Sequence, residues 1–593
     1  MGHYFHLFTI PFTVGMLFLF TVLIVKYTTW IKNLSASDKC LVKKGICTIS
    51  TFKATWNTIK ESLLHVSIFK RNRLLGFMHA SLAFGWFLLI VVGAMESSNA
   101  LRGSLEMPYV HIFLKFFVPT ESNALADIYA HIMDALLLII LIGVVLAWYK
   151  RFNSKRMGMR KTTKHTLGDR VAIASLWAIF PARLLAESVT CGLNGSGGFM
   201  THTIGEWLVN LLPFEVLAFA ELPMWWIYSL ALGVFFVALP FSRYMHIFTE
   251  IPHIFLKEYG VRPSNEASSI DNFQIQACSR CGLCIDNCQL QSDLNITKQL
   301  PVYFLRDRRY GKDCGSSADE CLMCGRCSVA CPVGIDINML RQNSRNTLHK
   351  KTDINSYSYL QEQSVGSGKV GYFSGCMTKL TPATITSMLK IFAAAGDDAV
   401  YLDEEGGVCC GRPLMLSGEI ESARKLMDFN KALIAKSGIT TLVTSCPICL
   451  KVFKEEYDLK GVEIIHHTQY IDRLISQGRI KVNPTNLKYT YHDPCELGRG
   501  SKIYDEPRRV ISVVGELVEA ASNRENSRCC GSSLAHTSLL TAQKQQIRDI
   551  TLSEFVATGA EVLVTSCPLC MSSFNTKELT VKDISEIVVG NIR

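Results

Sequence analysis

Thr440-Thr441-Leu442-Val443-Thr444-Ser445-Cys446-Pro447-Ile448-Cys449 recurs as Ala560-Glu561-Val562-Leu563-Val564-Thr565-Ser566-Cys567-Pro568-Leu569-Cys570. Each stretch is a β-rich run that ends in Thr-Ser-Cys-Pro, and a helix-like pattern follows each. Upstream, Val370–Cys376 and Tyr489–Cys495 are β-rich runs that also end on a cysteine. Strands alternating with helices predict parallel α/β units, with the cysteines at the carboxyl ends of the strands, where such sheets place their sites. An adjacent pair completes each copy, Cys409-Cys410 in the first and Cys529-Cys530 in the second. The intervals before the pair are 32 and 33 residues, and those after it are 35 and 36. The copies are offset by 119 to 121 residues, so the segment is an internal duplication. Gly411 and Gly531 follow the pairs and are expected to let the backbone turn tightly beside bulky sulfur.

Five thiols per copy exceed the four ligands of a tetrahedral zinc site. Thiolate ligands at this density favour iron–sulfur chemistry. The ten candidate site residues are Cys376, Cys409, Cys410, Cys446 and Cys449, with Cys495, Cys529, Cys530, Cys567 and Cys570. Among the chain's 22 cysteines, eight more form two fused runs. Cys278, Cys281, Cys284 and Cys288 follow C-x2-C-x2-C-x3-C, and Cys321, Cys324, Cys327 and Cys331 repeat it. In this two-cluster ferredoxin spacing the fourth cysteine of each run reaches the other cluster. Cys278, Cys281, Cys284 and Cys331 are therefore expected to hold one cubane 4Fe-4S cluster. Cys321, Cys324, Cys327 and Cys288 are expected to hold the other. Pro332 follows the second run as the pattern requires, but Gln289 stands where the first would have proline. Cys314 is a spare thiol, and Cys40, Cys47 and Cys191 lie outside every motif. His492-Asp493-Pro494 before Cys495 reads as a turn cap, with proton donation as the alternative.

The first 250 residues differ in kind. Tyr4–Val25, Leu74–Met95, Ile128–Trp148, Val171–Thr190 and Leu222–Ser242 are apolar runs near the roughly 20 residues that cross a bilayer. Residues 26–73 carry ten Lys/Arg against two acids, and residues 149–170 carry eight against one. Residues 96–127 carry only Arg102 and Lys115, and residues 184–242 carry no Lys or Arg. The positive-inside rule places the first two loops in the cytoplasm. The N-terminus is then outside the inner membrane, with the iron–sulfur segments cytoplasmic. The net charge of +10 is explained by this topology rather than by nucleic acid. Leu105–Pro119 and Glu206–Ala220 are short apolar stretches expected at the outer interface.

Ionisable residues inside spans are costly and point to function. His79 near the cytoplasmic end of the second span and His246 after the fifth lie at one depth and are expected to hold haem b. His131 is a candidate for a second haem, with His111 or His202 as partner. Asp134, Arg183 and Glu187 line a quinone site or, for the last two, form a buried ion pair.

These motifs resemble a known group. The five-cysteine pattern is similar to that of the cysteine-rich domain in the catalytic subunit of heterodisulfide reductase. That resemblance implies two noncubane 4Fe-4S clusters, each bound by five cysteines. The N-terminal part is similar to the haem b membrane domain of the nitrate reductase gamma-subunit type. It implies His79 and His246 as ligands, while Leu89 and Tyr228 stand near the positions where the second pair would need histidines. The whole chain, with Leu239-Pro240-Phe241-Ser242-Arg243-Tyr244-Met245-His246-Ile247, resembles fused membrane oxidoreductases linking electron-transfer flavoprotein to quinone.

The expected fold is multidomain. An all-α membrane bundle of about five spans (1–255) precedes an α-helical dicluster ferredoxin domain (265–345) and a duplicated α/β cysteine-rich domain (366–480 and 486–590). The expected function is an oxidoreductase passing electrons between a soluble cytoplasmic partner, electron-transfer flavoprotein, and quinone or quinol. The alternative is thiol/disulfide chemistry on a disulfide substrate at a noncubane cluster, and a third reading is a non-catalytic redox sensor or assembly subunit. No G-x-G-x-x-G fingerprint follows a strand, so any flavin step is expected on another protein.

Overall fold

The computed structural model describes residues 7–100, 124–157, 163–263, 269–349, 357, 360, 365–404, 409–534, 539–576 and 578–593. Arg102, His111, Lys115 and the stretch 105–119 lie outside the described residues. The chain divides into two units, Met1–Pro263 with Ser268–Leu283, and Ser264–Ala267 with Cys284–Arg593. The 265–345 segment is thus shared between them.

The first unit is built on five long apolar helices: α1 (Ile10–Lys32), α2 (Arg73–Ala100), α3 (Ala124–Asn153), α4 (Leu167–Asn194) and α5 (Phe214–Ala238). All five are long and apolar enough to cross a membrane. α1 continues past Val25, where the apolar run ends, through Lys26 to Lys32. The Lys26 ammonium is accommodated because it donates to the Pro240 carbonyl at 3.0 Å and lies over the Phe241 ring. A core of Phe8, Phe12, Leu89, Ile140, Phe180, Trp225, Leu232 and Phe235 joins the helices. α1 and α5 approach closely at a pair of glycines: a Cβ on Gly15 would stand 2.7 Å from the Gly233 carbonyl oxygen. Small residues at such crossings let membrane helices gain packing that lipid cannot supply. A shorter helix, α6 (His246–Glu258), follows α5.

In the second unit the duplication is visible as two four-stranded parallel sheets. The first has the order β2 (Ala399–Tyr401), β1 (Val370–Phe373), β3 (Thr441–Thr444), β4 (Glu463–His466). The second repeats it as β6 (Glu516–Leu517), β5 (Lys488–His492), β7 (Val562–Thr565), β8 (Thr580–Asp583). Tyr372, Val443 and Ile465 of the first sheet share one buried core with Tyr491, Val562 and Val564 of the second. Across this core His467 Nε2 lies 3.1 Å from Asp583 Oδ1, both side chains almost fully buried.

Candidate metal centres

Strand ends set the cysteines of each repeat. β3 stops at Thr444, Ser445 turns, and Cys446 is the residue that caps helix α7 (Pro447–Glu456). β7, Ser566 and Cys567 do the same for helix α8 (Pro568–Phe574). Proline at the first helical position costs no hydrogen bond there and fixes the turn. Cys449 and Cys570 then fall in the first turn of their helices.

The thiols meet in the same sequence in both copies. In the first copy Cys376 neighbours Cys409, Cys409 neighbours Cys410, and Cys449 neighbours both Cys410 and Cys446. In the second copy Cys495 neighbours Cys529, Cys529 neighbours Cys530, and Cys570 neighbours both Cys530 and Cys567. The Cys570–Cys530 sulfur separation is 3.5 Å. Receiving two thiols holds Cys410 and Cys530 below the ordinary thiol range. Cys449 and Cys570, each buried beside two further thiols, are pushed well above it. Among the described residues no three His, Cys, Asp or Glu side chains close round a single ion point.

Gly411 and Gly531 do adopt left-handed φ of 89° and 82°. A Cβ would meet Met427 at 3.0 Å in the first and the Lys544 carbonyl at 2.6 Å in the second. In the first repeat Gly375 is pressed on sulfur, since a Cβ would stand 2.9 Å from Cys449 Sγ. His492 and Asp493 are both hydrogen-bonded within the second repeat. Asp493 takes both guanidinium nitrogens of Arg508 at 2.8 Å and the Arg524 N–H at 2.7 Å, and His492 Nε2 lies 3.0 Å from the Arg528 carbonyl.

The fused cysteine runs form matching loops. Arg280 and Met323, each just before the second cysteine of its run, have φ of 56° and 53°, and Gly282 and Gly325 after it have φ of 96° and 77°. The Met323 N–H donates to Cys321 Sγ at 3.3 Å. Cys288 lies in the electrostatic neighbourhood of Cys321, Cys324 and Cys327, the three residues with which the spacing groups it. Burial pushes the Cys288 thiol up to about 12, with Cys321 and Cys324 adding to it. Cys278 and Cys281 belong to the first unit, Cys284 and Cys331 to the second. Cys288 and Cys324 also share one apolar cluster with Cys495 and Cys529 of the second repeat, around Leu290, Leu322 and Ile547.

In the first unit, the His79 Nε2 atom is buried with no hydrogen-bond partner. His246 lies within its electrostatic neighbourhood. His246 Nδ1 is 2.7 Å from the Arg243 carbonyl, a contact that selects the tautomer with the lone pair on Nε2. An orphaned ring nitrogen and a backbone-oriented imidazole suit axial ligation of a haem iron. His65, which carries no pattern in the sequence, stacks on His79 with ring centroids 5.4 Å apart. His131 is exposed and its Nδ1 lies 2.8 Å from the Asp127 carbonyl, while His202 pairs with Glu206 at 3.2 Å. Arg183 and Glu187 form the buried ion pair, at 2.8 Å. Asp134 caps the Phe199–Leu211 helix by accepting from the Met200 and Thr201 N–H groups at 2.8 and 2.9 Å. One carboxylate organises the end of α4: Asp169 Oδ2 accepts from the Thr166 N–H, and Oδ1 takes the Arg243 N–H at 2.8 Å and the Arg280 guanidinium.

Comparison with known proteins agrees with this geometry. The model of a cysteine-rich domain matches residues 370–454 and again 489–575. That of a 4Fe-4S dicluster domain matches residues 274–335. The chain is 21% identical to EtfAB:quinone oxidoreductase of Syntrophomonas wolfei, over 85% of this chain and 84% of that protein. It is 26% identical to one subunit of the dihydromethanophenazine:CoB--CoM heterodisulfide reductase of Methanosarcina barkeri, over 54% of this chain and 95% of that protein. It is 30% identical to a probable membrane-anchored ferredoxin of Chromohalobacter salexigens, over 35% of this chain and 33% of that protein. With five apolar helices, a dicluster segment and two cysteine-rich repeats, the chain is an iron–sulfur oxidoreductase similar to heterodisulfide reductase and to EtfAB:quinone oxidoreductase.

Proposed function

We propose that this protein is an electron conduit of the inner membrane, moving electrons between a cytoplasmic electron-transfer flavoprotein and the quinone pool. The observation that carries this reading is the apolar cluster enclosing Cys288 and Cys324 together with Cys495 and Cys529. Candidate ligands of two redox groups thereby share one dry core, where an electron passes without exposure to water. Likeness to EtfAB:quinone oxidoreductase over 85% of the chain supports the partner assignment.

In this reading residues 1–255 are the haem b domain, 265–345 the dicluster domain, and 366–480 and 486–590 the cysteine-rich domains. Cys278, Cys281, Cys284 and Cys331 hold one cubane cluster, and Cys288, Cys321, Cys324 and Cys327 the other. Each five-cysteine set holds a noncubane cluster, and His79 and His246 hold haem b. When bound, these groups supply one-electron chemistry. The chain's own residues bind and position. Asp169 ties the Arg243–His246 segment to Arg280, which lies between Cys278 and Cys281, so one carboxylate orients both. The basic loops around residues 26–73 and 149–170 support a cytoplasmic iron–sulfur unit.

The test is anaerobic. Pre-reduced electron-transfer flavoprotein is added to the oxidised protein and the α-band of haem b is followed. Prompt reduction, reversed by a quinone analogue, is the expected result. No reduction of a haem that is present overturns the partner assignment. His246→Ala is expected to lose the haem spectrum and keep the iron of the clusters; a normal spectrum removes His246 as ligand.

A second reading, thiol/disulfide chemistry, draws on one feature. A cleft in the second unit is lined by Cys495, Cys530, Cys567 and Cys570, with Glu496 and Leu569 at its wall. Reduction of the haem by a dithiol and not by the flavoprotein would select this reading.

A further inference from the structure

Gln289 departs from the ferredoxin spacing, in which proline follows the fourth cysteine. It is 2% exposed. Its side-chain amide grips the Cys529 residue of the second repeat from both sides. Oε1 accepts from the Cys529 N–H at 2.7 Å, and Nε2 donates to the Cys529 carbonyl at 3.3 Å. Nε2 also reaches Asp293 Oδ2 at 3.4 Å. Asp293 is held by Arg528 at 2.5 Å, the residue before Cys529, and its carbonyl accepts from Gln546 at 2.8 Å. The carbonyl of Cys529 has a second donor in Thr551 at 3.0 Å. Proline has no amide with which to make either bond.

We propose that Gln289 is a positioning residue that locks Cys529 against the Cys288 loop, so that the metal group of the second repeat is assembled and tuned through the dicluster segment. The proposal rests on Cys288 and Cys529 being ligands, as read above. The physical basis is direct. Cys288 and Gln289 are neighbours in the chain, and the amide fixes the backbone from which the Cys529 sulfur hangs. A buried backbone N–H keeps its geometry only while its acceptor is present. The first repeat has its own arrangement: the carbonyl of Cys409 is held by Asn430 and that of Cys410 by Tyr457, both within that repeat.

The test uses the full-length protein, purified anaerobically, with iron content and electron paramagnetic resonance redox titration as readouts. Cys410→Ser and Cys530→Ser assign the signals of the two repeats. Gln289→Met keeps the volume and removes the hydrogen bonds; Gln289→Pro restores the usual residue of the loop. Both are expected to keep the dicluster signals and the first-repeat signal, while the second-repeat signal shifts in midpoint or is lost. If Gln289→Pro also loses the dicluster signals, Gln289→Met alone decides. A Gln289→Met protein whose second-repeat signal and midpoint match the parent overturns the proposal. If Cys530→Ser removes no signal, the ligand reading falls and the proposal falls with it.

Discussion

The two cysteine-rich repeats have one strand order and one sequence of thiol contacts, yet they are held by different means. In the first, Asp403 after β2 accepts directly from the Ser374 and Gly375 N–H groups, both at 2.8 Å, and shapes the loop that carries Cys376. In the second, Arg508 spans Glu519, after β6, and Asp493, so two carboxylates and a guanidinium replace one carboxylate. The second repeat is also stitched to the dicluster segment. Arg499 donates to the Cys324 carbonyl at 2.7 Å and to the Ser527 carbonyl at 2.8 Å, and Arg326 donates to the Asn287 carbonyl at 3.1 Å and the Ser527 carbonyl at 3.2 Å. The first repeat meets that segment through backbone carbonyls of its Arg412–Ser417 helix: Arg345 donates to Leu416, and Gln342 to Met415. The lesson is that strand ends preserve the cysteine set, while loops decide which neighbour each set meets.

The sharpest way to break this comparison is Cys530→Ser against Cys410→Ser. Each is expected to lose the iron of its own repeat, by metal analysis and electron paramagnetic resonance. Only Cys530→Ser is expected to abolish exchange with the dicluster, seen as cluster reduction that no longer follows reduced donor. Equal loss from both would mean that the second repeat has no privileged contact.

His467→Ala comes next. It removes a fully buried imidazole from the core common to both repeats, leaving a cavity and one fewer partner for Asp583, at a cost of about 2–5 kcal/mol. The denaturation midpoint of the second unit is expected to fall as one transition. Two separated transitions would mean that the repeats fold apart.

Arg499→Ala is expected to be milder and one-sided, about 1.5–3 kcal/mol for a charged donor lost from buried carbonyls. The second-repeat signal is expected to move and the first to stay. Movement of both signals would erase the distinction between the repeats.

The smallest effect belongs to the surface of the first repeat. Hydrogen bonding from Arg473 holds the Glu463 carboxyl below its ordinary value of 4.5. A depressed carboxylate adds stability that is present above pH about 4.5 and is lost as pH falls through its lower folded value. Both side chains are substantially exposed, so the pair is worth only about 0.2–1 kcal/mol. Arg473→Ala is expected to flatten the acid limb of the stability curve slightly. An unchanged curve would show that water screens the pair fully.

Much of this protein was legible in one dimension. The repeat cysteines are spaced by local turns, so Cys446-Pro447-Ile448-Cys449 announces a strand end, a cap and a first helical turn. Membrane spans are set by apolar length, and their number was legible for that reason. The end of α1 was not, because Lys26 continues the helix by bonding a carbonyl 214 positions away. The sequence by itself determined the duplicated parallel sheets, the ten repeat cysteines, the dicluster pattern and five apolar spans, since each rests on a local period or a fixed interval. Only the tertiary structure decided what Gln289 grips, that His467 meets Asp583, that His65 stacks on His79, and that Asp169 joins Arg243 to Arg280. Those contacts bridge residues that lie apart in the chain, and a contact between such groups leaves no periodic trace in the segments that make it.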